Sequence, residues 1–211
     1  LDFPIACLIA SGGHTDLIIM KGHLDYEVIA RTRDDAAGEA FDKVARVLGL
    51  GFPGGPEIQK AATVEETSMQ SFPRPSIKDS IDFSFSGLKT AVVRRAEADG
   101  FYPSGKKSPT STQIAEYAFE FQDAVVDCLI DRTIEASKIY NCHGIILGGG
   151  VAANSHLRNK ISEKSNVPVV IPKISFCTDN GAMIGAAAYY RFNEILSSDW
   201  DMDAIPNLSL T

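Results

Sequence analysis

The chain begins with an unbroken apolar run, Ile5-Ala6-Cys7-Leu8-Ile9-Ala10, as expected of a strand covered on both faces. Ser11-Gly12-Gly13-His14-Thr15 interrupts it, Asp16 to Met20 returns as a second apolar stretch, and Tyr26 to Arg31 suits a third. Three strands joined by short turns predict an antiparallel meander. The period then changes. Ala37, Ala40, Phe41, Val44, Ala45 and Leu48 recur at i, i+3, i+4 and i+7, so 34–48 reads as a helix with Asp34 or Asp35 capping its start. The cluster Gly49 to Pro56 ends that helix. Further helices are predicted over Glu57–Thr63, over Gly87–Ala98 with Ser86 as cap, and from Thr110 to near Tyr140. Thr110-x-x-Gln113 fits a capping box, and 99–109 reads as a loop. The closing third alternates strand Gly144–Leu147, helix Asn154–Lys164, strand Val167–Ile171 and helix Thr178–Ile195.

A meander followed by alternating helices and strands points to a mixed α/β sheet, and ribonuclease-H-like lobes share this layout. With 211 residues, 45% of them hydrophobic, the chain can form one large domain or a compact domain with a sizeable insertion. No apolar stretch approaches the ~20 residues that span a bilayer. The net charge of −7 does not advertise nucleic-acid binding, although a local basic patch remains compatible with it. Cys7, Cys128, Cys142 and Cys177 form no C-x-x-C pair and sit in or beside apolar segments, which predicts reduced, buried thiols and a cytoplasmic setting. Nothing near Cys142-His143 completes a metal site. The chain lacks an initiator Met and enters its first strand almost at once, so a segment upstream of Leu1 is expected to have been removed.

The most informative local chemistry is Gly148-Gly149-Gly150-Val151-Ala152-Ala153-Asn154, placed between a strand and a helix. Adjacent glycines leave backbone N–H groups uncovered at a helix start, where a nucleotide can approach closely. The run spells G-x-G-x-x-A, but a dinucleotide site also needs an acid about 20 residues on, at the end of the next strand. That strand ends in Pro172-Lys173, so the dehydrogenase reading fails its own requirement. An alternative joins separated segments into one cleft. Ser11 to Thr15 offers N–H groups and a hydroxyl to a phosphate, Asp42 can accept from ribose hydroxyls, and Gly54 and Gly55 admit a sugar or base. Asn154 can bond an adenine or substrate group, and Asp179 can ligate a divalent metal. Each has an ordinary counterpart. Asp179 or Thr178 can cap the last helix, Asn154 can cap its own, Asp42 can pair with Lys43 or Arg46, and Ser11 to Thr15 can be a plain hairpin turn. Lys89, Arg94, Arg95 and Arg158 form either a basic patch for nucleic acid or a solvated helix face.

Six motifs occur together in order: Ser11-Gly12-Gly13-His14-Thr15, Asp34 to Lys43, Pro53-Gly54-Gly55-Pro56, Phe83 to Thr90, Gly148 to Asn154, and Cys177-Thr178-Asp179-Asn180. On these the chain resembles the tRNA N6-adenosine threonylcarbamoyltransferase family, TsaD type, formerly described as O-sialoglycoprotein endopeptidases, over nearly its whole length. The resemblance implies an actin-like ATPase (ribonuclease-H-like) lobe with a mixed sheet and inserted helices at about 34–140. It also implies transfer of a threonylcarbamoyl group from an adenylate to N6 of adenosine 37 in tRNAs reading codons that begin with A. By the same resemblance Ile9, Ala10, Ser11, Gly12 and Gly13 would line the adenylate phosphate and acyl region. Asp42 and Gly55 would hold the ribose, Asn154 the nucleotide, and Asp179 one divalent metal, Fe2+ or Zn2+. Family members carry an upstream His-x-x-x-His pair as further metal ligands, whereas His14, His23, His143 and His156 include no such pair. Residues 1–211 are therefore expected to be the C-terminal lobe of a two-lobe enzyme, inactive alone, with the two histidines on the N-terminal lobe. The implied ligands are threonylcarbamoyl-adenylate or ATP. The implied partners are tRNA, other proteins of the t6A-forming complex, and a second copy or a paralogue against the cleft face. The setting would be the cytoplasm or an organelle, away from any membrane. If a second lobe completes the cleft, the face it would cover should carry uncovered apolar and glycine surface. The reading of a different class is a non-catalytic nucleotide-binding or assembly module. No His-Glu-x-x-His motif or nucleophile–His–acid set supports an endopeptidase.

Overall fold

In the computed structural model, which describes residues 1–63, 71–102, 107–192, 203 and 205, five strands form one mixed sheet in the order β3-β2-β1-β4-β5. The meander is β1 (Ile5–Ala10), β2 (Thr15–Gly22) and β3 (Asp25–Arg31), paired antiparallel as expected. β4 (Gly144–Gly148) lies parallel to β1, and β5 (Val169–Val170) parallel to β4. The unbroken apolar run of β1 follows from this central position. A parallel β1–β4 pair needs a long crossover, and four helices provide it. These are α1 (Ala37–Val47), α2 (Gly54–Ala61), α3 (Ser86–Asp99) and α4 (Ser111–Ile139). α5 (Ser155–Lys164) follows β4, and α6 (Gly181–Arg191) follows β5.

The core is built where α1 and α4 meet the sheet. Leu8, Leu17, Ile19, Ile145 and Leu147 belong to the same buried cluster as Phe41, Val44, Phe121, Val125 and Leu129. The Phe41 and Phe121 rings meet edge-on at 5.2 Å between centroids, a geometry worth about 1 kcal/mol beyond area burial. The expected capping box starts α4: Thr110 Oγ1 accepts from the Gln113 N–H at 3.2 Å, and Gln113 Oε1 accepts from the Thr110 N–H at 3.0 Å. All four cysteines are free thiols. Burial pushes Cys7 and Cys128 up to about 11, so they are protonated and inert at neutral pH.

Several boundaries differ from expectation, each for a tertiary reason. α1 begins at Ala37 because its first N–H is satisfied by Thr15 Oγ1 of β2, at 2.9 Å. Asp34 turns instead to α3, where its Oδ1 accepts from the N–H groups of Phe85 at 2.8 Å and Ser86 at 3.3 Å. Ser86 is thus the first residue of α3 and not its cap. α2 starts earlier than Glu57 because Asp42 Oδ1 accepts the Gly54 N–H at 2.7 Å. β5 shrinks to two residues between Pro168 and Pro172, which have no N–H to donate. α6 is capped by Asn180, whose Oδ1 accepts from the Met183 N–H at 3.0 Å, so neither Thr178 nor Asp179 has that role. The part of this helix predicted beyond 192 lies outside the described residues, as does 103–106 of the predicted loop.

α6 buries none of its residues. Met183, Ile184 and Tyr189 are exposed, and Tyr190 stacks on His23 with ring centroids 3.8 Å apart. Among the described residues no helix is long and apolar enough to cross a membrane.

Candidate functional site

β1 and β4 run parallel, so the turns that follow them emerge at the same edge of the sheet. Ligands of open α/β sheets bind outside the carboxyl ends of parallel strands, and a cavity of about 420 Å³ lies there. Gly12 comes from the turn after β1, and Gly150, Val151, Ala153 and Asn154 from the turn after β4. α1 contributes Gly38, Phe41 and Asp42, one face at i, i+3 and i+4. Gly55, Pro56 and Gln59 come from the start of α2, with Pro53 just before it, and Ile174 and Thr178 close the rim. The lining is mainly apolar, with Asp42 its one charged side chain among the described residues. Apolar walls suit a base or a sugar face, and a single carboxylate suits hydroxyl donors.

Two glycines set the approach of these segments. Gly149 has φ +85°, and a Cβ there would lie 2.3 Å from the Ala10 carbonyl oxygen, so the β4 turn passes directly against the end of β1. Gly38 brings α1 against the β1 turn: its N–H donates to Ser11 O at 3.0 Å, and an added Cβ would meet that oxygen at 2.6 Å.

The structure gathers Gly12, Asp42, Gly55 and Asn154 around the cavity; among the described residues, Ile9, Ala10, Ser11, Gly13 and Asp179 do not line it. The β1 turn is more self-satisfied than the sequence suggested. Ser11 Oγ accepts from the N–H groups of Gly13 at 3.3 Å and His14 at 3.1 Å, and Ser11 N–H donates to His14 O. The Gly12 N–H has no partner among the described residues, and the Ser11 hydroxyl keeps its own hydrogen to donate. Asn154 has the ordinary role as well: it caps α5 by accepting from the Leu157 N–H at 3.0 Å, while its Nδ2 donates to Gln122 Oε1 at 2.7 Å. One amide hydrogen remains for a ligand.

Asp179 is exposed, and among the described residues it makes no hydrogen bond or ion pair. No three His, Cys, Asp or Glu side chains converge to hold a metal among those residues. A divalent ion needs several such donors, so the described residues by themselves do not build a metal site. Three of the four cations considered as a basic patch are engaged within the chain, and Arg94 is exposed. Lys89 pairs with Asp35 at 2.7 Å, Arg95 lies over the Phe72 ring at 5.4 Å, and Arg158 bonds backbone carbonyls. Gln59, on the cavity wall, and Gln122, bonded to Asn154, are neighbours of the candidate site that the sequence reading missed. Gln59 accepts the Ser155 N–H at 2.7 Å. Its i+4 spacing from Gly55 was a usable signal; Gln122 on α4 gave none.

Behind α5 a dense charge network braces the site. Asp123 meets His156 at 2.7 Å and also Lys160 and Arg74. Burial alone would raise the Asp123 pKa, but hydrogen bonds from His156 and Lys160 outweigh it and hold the carboxyl well below the usual range.

This sheet order, with a ligand-sized cleft between helices and strand ends, fits an actin-like (ribonuclease-H-like) fold. A structural match supports the fold alone: the activator of the 2-hydroxyisocaproyl-CoA dehydratase from Clostridium difficile, with bound ADPNP. It aligns at TM-score 0.52 and 12% identity, covering 96% of this chain and 66% of that one. The family described as TsaD, tRNA N6-adenosine threonylcarbamoyltransferase, matches residues 1–186, and the chain belongs to it. Curated relatives carrying that name include proteins of Dehalococcoides mccartyi, 49% identical over 210 residues, and Thermomicrobium roseum, 48% over 221 residues. A third, from Halalkalibacterium halodurans, is 45% identical over 214 residues. These alignments take in 99–100% of this chain, which spans about 60% of each relative's length.

Proposed function

We propose that this chain is the C-terminal, nucleotide-binding lobe of an enzyme that transfers threonylcarbamoyl from its adenylate to N6 of adenosine 37 in tRNAs reading codons that begin with A. The observation that carries the reading is Asp42, the one charged group among the described residues of an apolar cleft bounded by five of the family's motif segments. In this reading Asp42 accepts from the ribose hydroxyls, with Gly55 beside it leaving room for the sugar. Asn154 offers its remaining amide hydrogen to the nucleotide. N6 attacks the carbamoyl carbon, the new C–N bond replaces the bond to the phosphate oxygen, N6 loses a proton, and AMP departs. The Gly12 N–H, at the strand end and on the cavity wall, would donate to the negative charge that develops. Asp179 would supply one ligand to a divalent ion whose other ligands come from outside this chain.

The exposed apolar α6 and the span of about 60% of the relatives' length support placing the remainder of the active site on a second lobe. A cytoplasmic setting and partner proteins of a tRNA-modifying complex belong to the same proposal.

Calorimetry with AMP tests the site. Asp42→Asn keeps an acceptor for the Gly54 N–H but loses the charge, and is expected to weaken AMP binding about tenfold. Wild-type affinity in that variant would remove Asp42 from the site. A protein of the relatives' full length that binds AMP yet forms no threonylcarbamoyl-adenosine in tRNA would favour the non-catalytic nucleotide-binding or assembly module.

A further inference from the structure

The segment 172–179 carries Ile174 and Thr178 to the rim of the cavity and Asp179 just beyond it, yet its neighbours anchor it weakly. β5, before it, is two residues long, and α6, after it, buries no residue. Ile174, Ser175 and Phe176 are exposed. What holds the segment comes from α5. Arg158 sends its Nε to the Ala152 carbonyl at 2.7 Å, in the single turn of 3-10 helix that lines the cavity after β4. Its Nη2 donates to the Pro172 carbonyl and lies 3.2 Å from Cys177 Sγ, at the two ends of the rim segment. Cys177 is the buried residue of this stretch, 2% exposed, so the guanidinium reaches the point where the rim enters the interior.

We propose that Arg158 is a positioning residue: a planar clamp that fixes the 172–179 rim against the 150–153 turn, and so sets Thr178 and Asp179 relative to a nucleotide in the cleft. The inference rests on the nucleotide reading of the cavity given above. The geometry calls for arginine. Two carbonyls from separate segments must be bonded from one rigid fork, whose Nε and Nη2 donors lie along one edge, and a lysine ammonium, a single point on a flexible stem, does not reproduce that edge. The role is local, because Arg158 makes its side-chain bonds to Ala152, Pro172 and Cys177.

The test compares wild type with Arg158→Lys and Cys177→Ala at the full length of the relatives, by hydrogen exchange and AMP calorimetry. In Arg158→Lys, amides of 173–178 should exchange roughly tenfold faster with the sheet unchanged, and AMP should bind several-fold more weakly. Cys177→Ala, which leaves the carbonyl bonds of Arg158 in place, should move both readouts the same way by less. It also provides the answer if the arginine variant fails to fold. Wild-type exchange at 173–178 in both variants would overturn the clamp. So would exchange that accelerates in parallel throughout the chain, the mark of a generally structural residue. If the wild type bound no AMP, the nucleotide reading would fall, and with it the purpose assigned to the clamp.

Discussion

Gly149 sits at φ +85° and ψ 168°, a region that a Cβ makes inaccessible, and its position against Ala10 O leaves no space for a methyl group. Both causes act in the same direction. Gly149→Ala is expected to cost about 3 kcal/mol and to lower the melting temperature by roughly 10 °C. Differential scanning calorimetry would show it, and an unchanged melting temperature would mean that the two turns can separate freely. Gly148 to Asn154 was legible in the sequence as a special turn, because three adjacent glycines before a helix have few other uses. Which residues it meets was not legible, since Ala10 lies across the sheet and not along the chain. Asn154 shows the same division: its cap follows from its place before Ser155, whereas its bond to Gln122 depends on how α4 crosses the sheet.

Helix starts show how far local rules reach. The α4 capping box is written entirely within Thr110-x-x-Gln113, and the structure contains it. α3 takes its cap from Asp34, in a different part of the chain, and the serine that local rules favoured lies inside the helix. Asp34 also accepts from the Ser84 hydroxyl, so one carboxylate serves three donors. Asp34→Ala should therefore cost about 2 kcal/mol by urea denaturation, more than the roughly 1 kcal/mol expected for Thr110→Ala. If the two costs were equal, water would be satisfying the α3 terminus and the tertiary cap would add nothing.

Across the whole molecule, the acid limb of stability follows from paired carboxylates. Asp123 and Asp127 are held below the usual carboxylate range, and Asp35 and Asp82 share the direction. A folded-state pKa below the unfolded value of about 4 means that the unfolded chain binds protons first as pH falls. The stabilisation is complete above about pH 4 and is lost below it, as pH falls towards the folded-state values. Asp123→Asn should flatten the fall in unfolding free energy below pH 4, in part only, because three other carboxylates keep contributing. An unaltered slope would show that the network with His156, Lys160 and Arg74 is bound no better than in the unfolded chain.

By itself the sequence determined the elements and the identity of the cleft-forming segments: the meander, the long capped helix, the glycine turns and the six ordered motifs. Periodicity, caps and breakers act over a few residues, so they can be read without a fold. Tertiary structure alone decided that β4 would pair beside β1 and bring the two turns to one edge. It also turned Asp34 away from its own helix, closed Ser11 onto the amides expected to be free, and drew Arg158 inward from the surface patch proposed for it. Those outcomes depend on which distant donors and acceptors a packed core brings within 3 Å or so of one another, and hydrogen-bond geometry at that range is not encoded in local spacing.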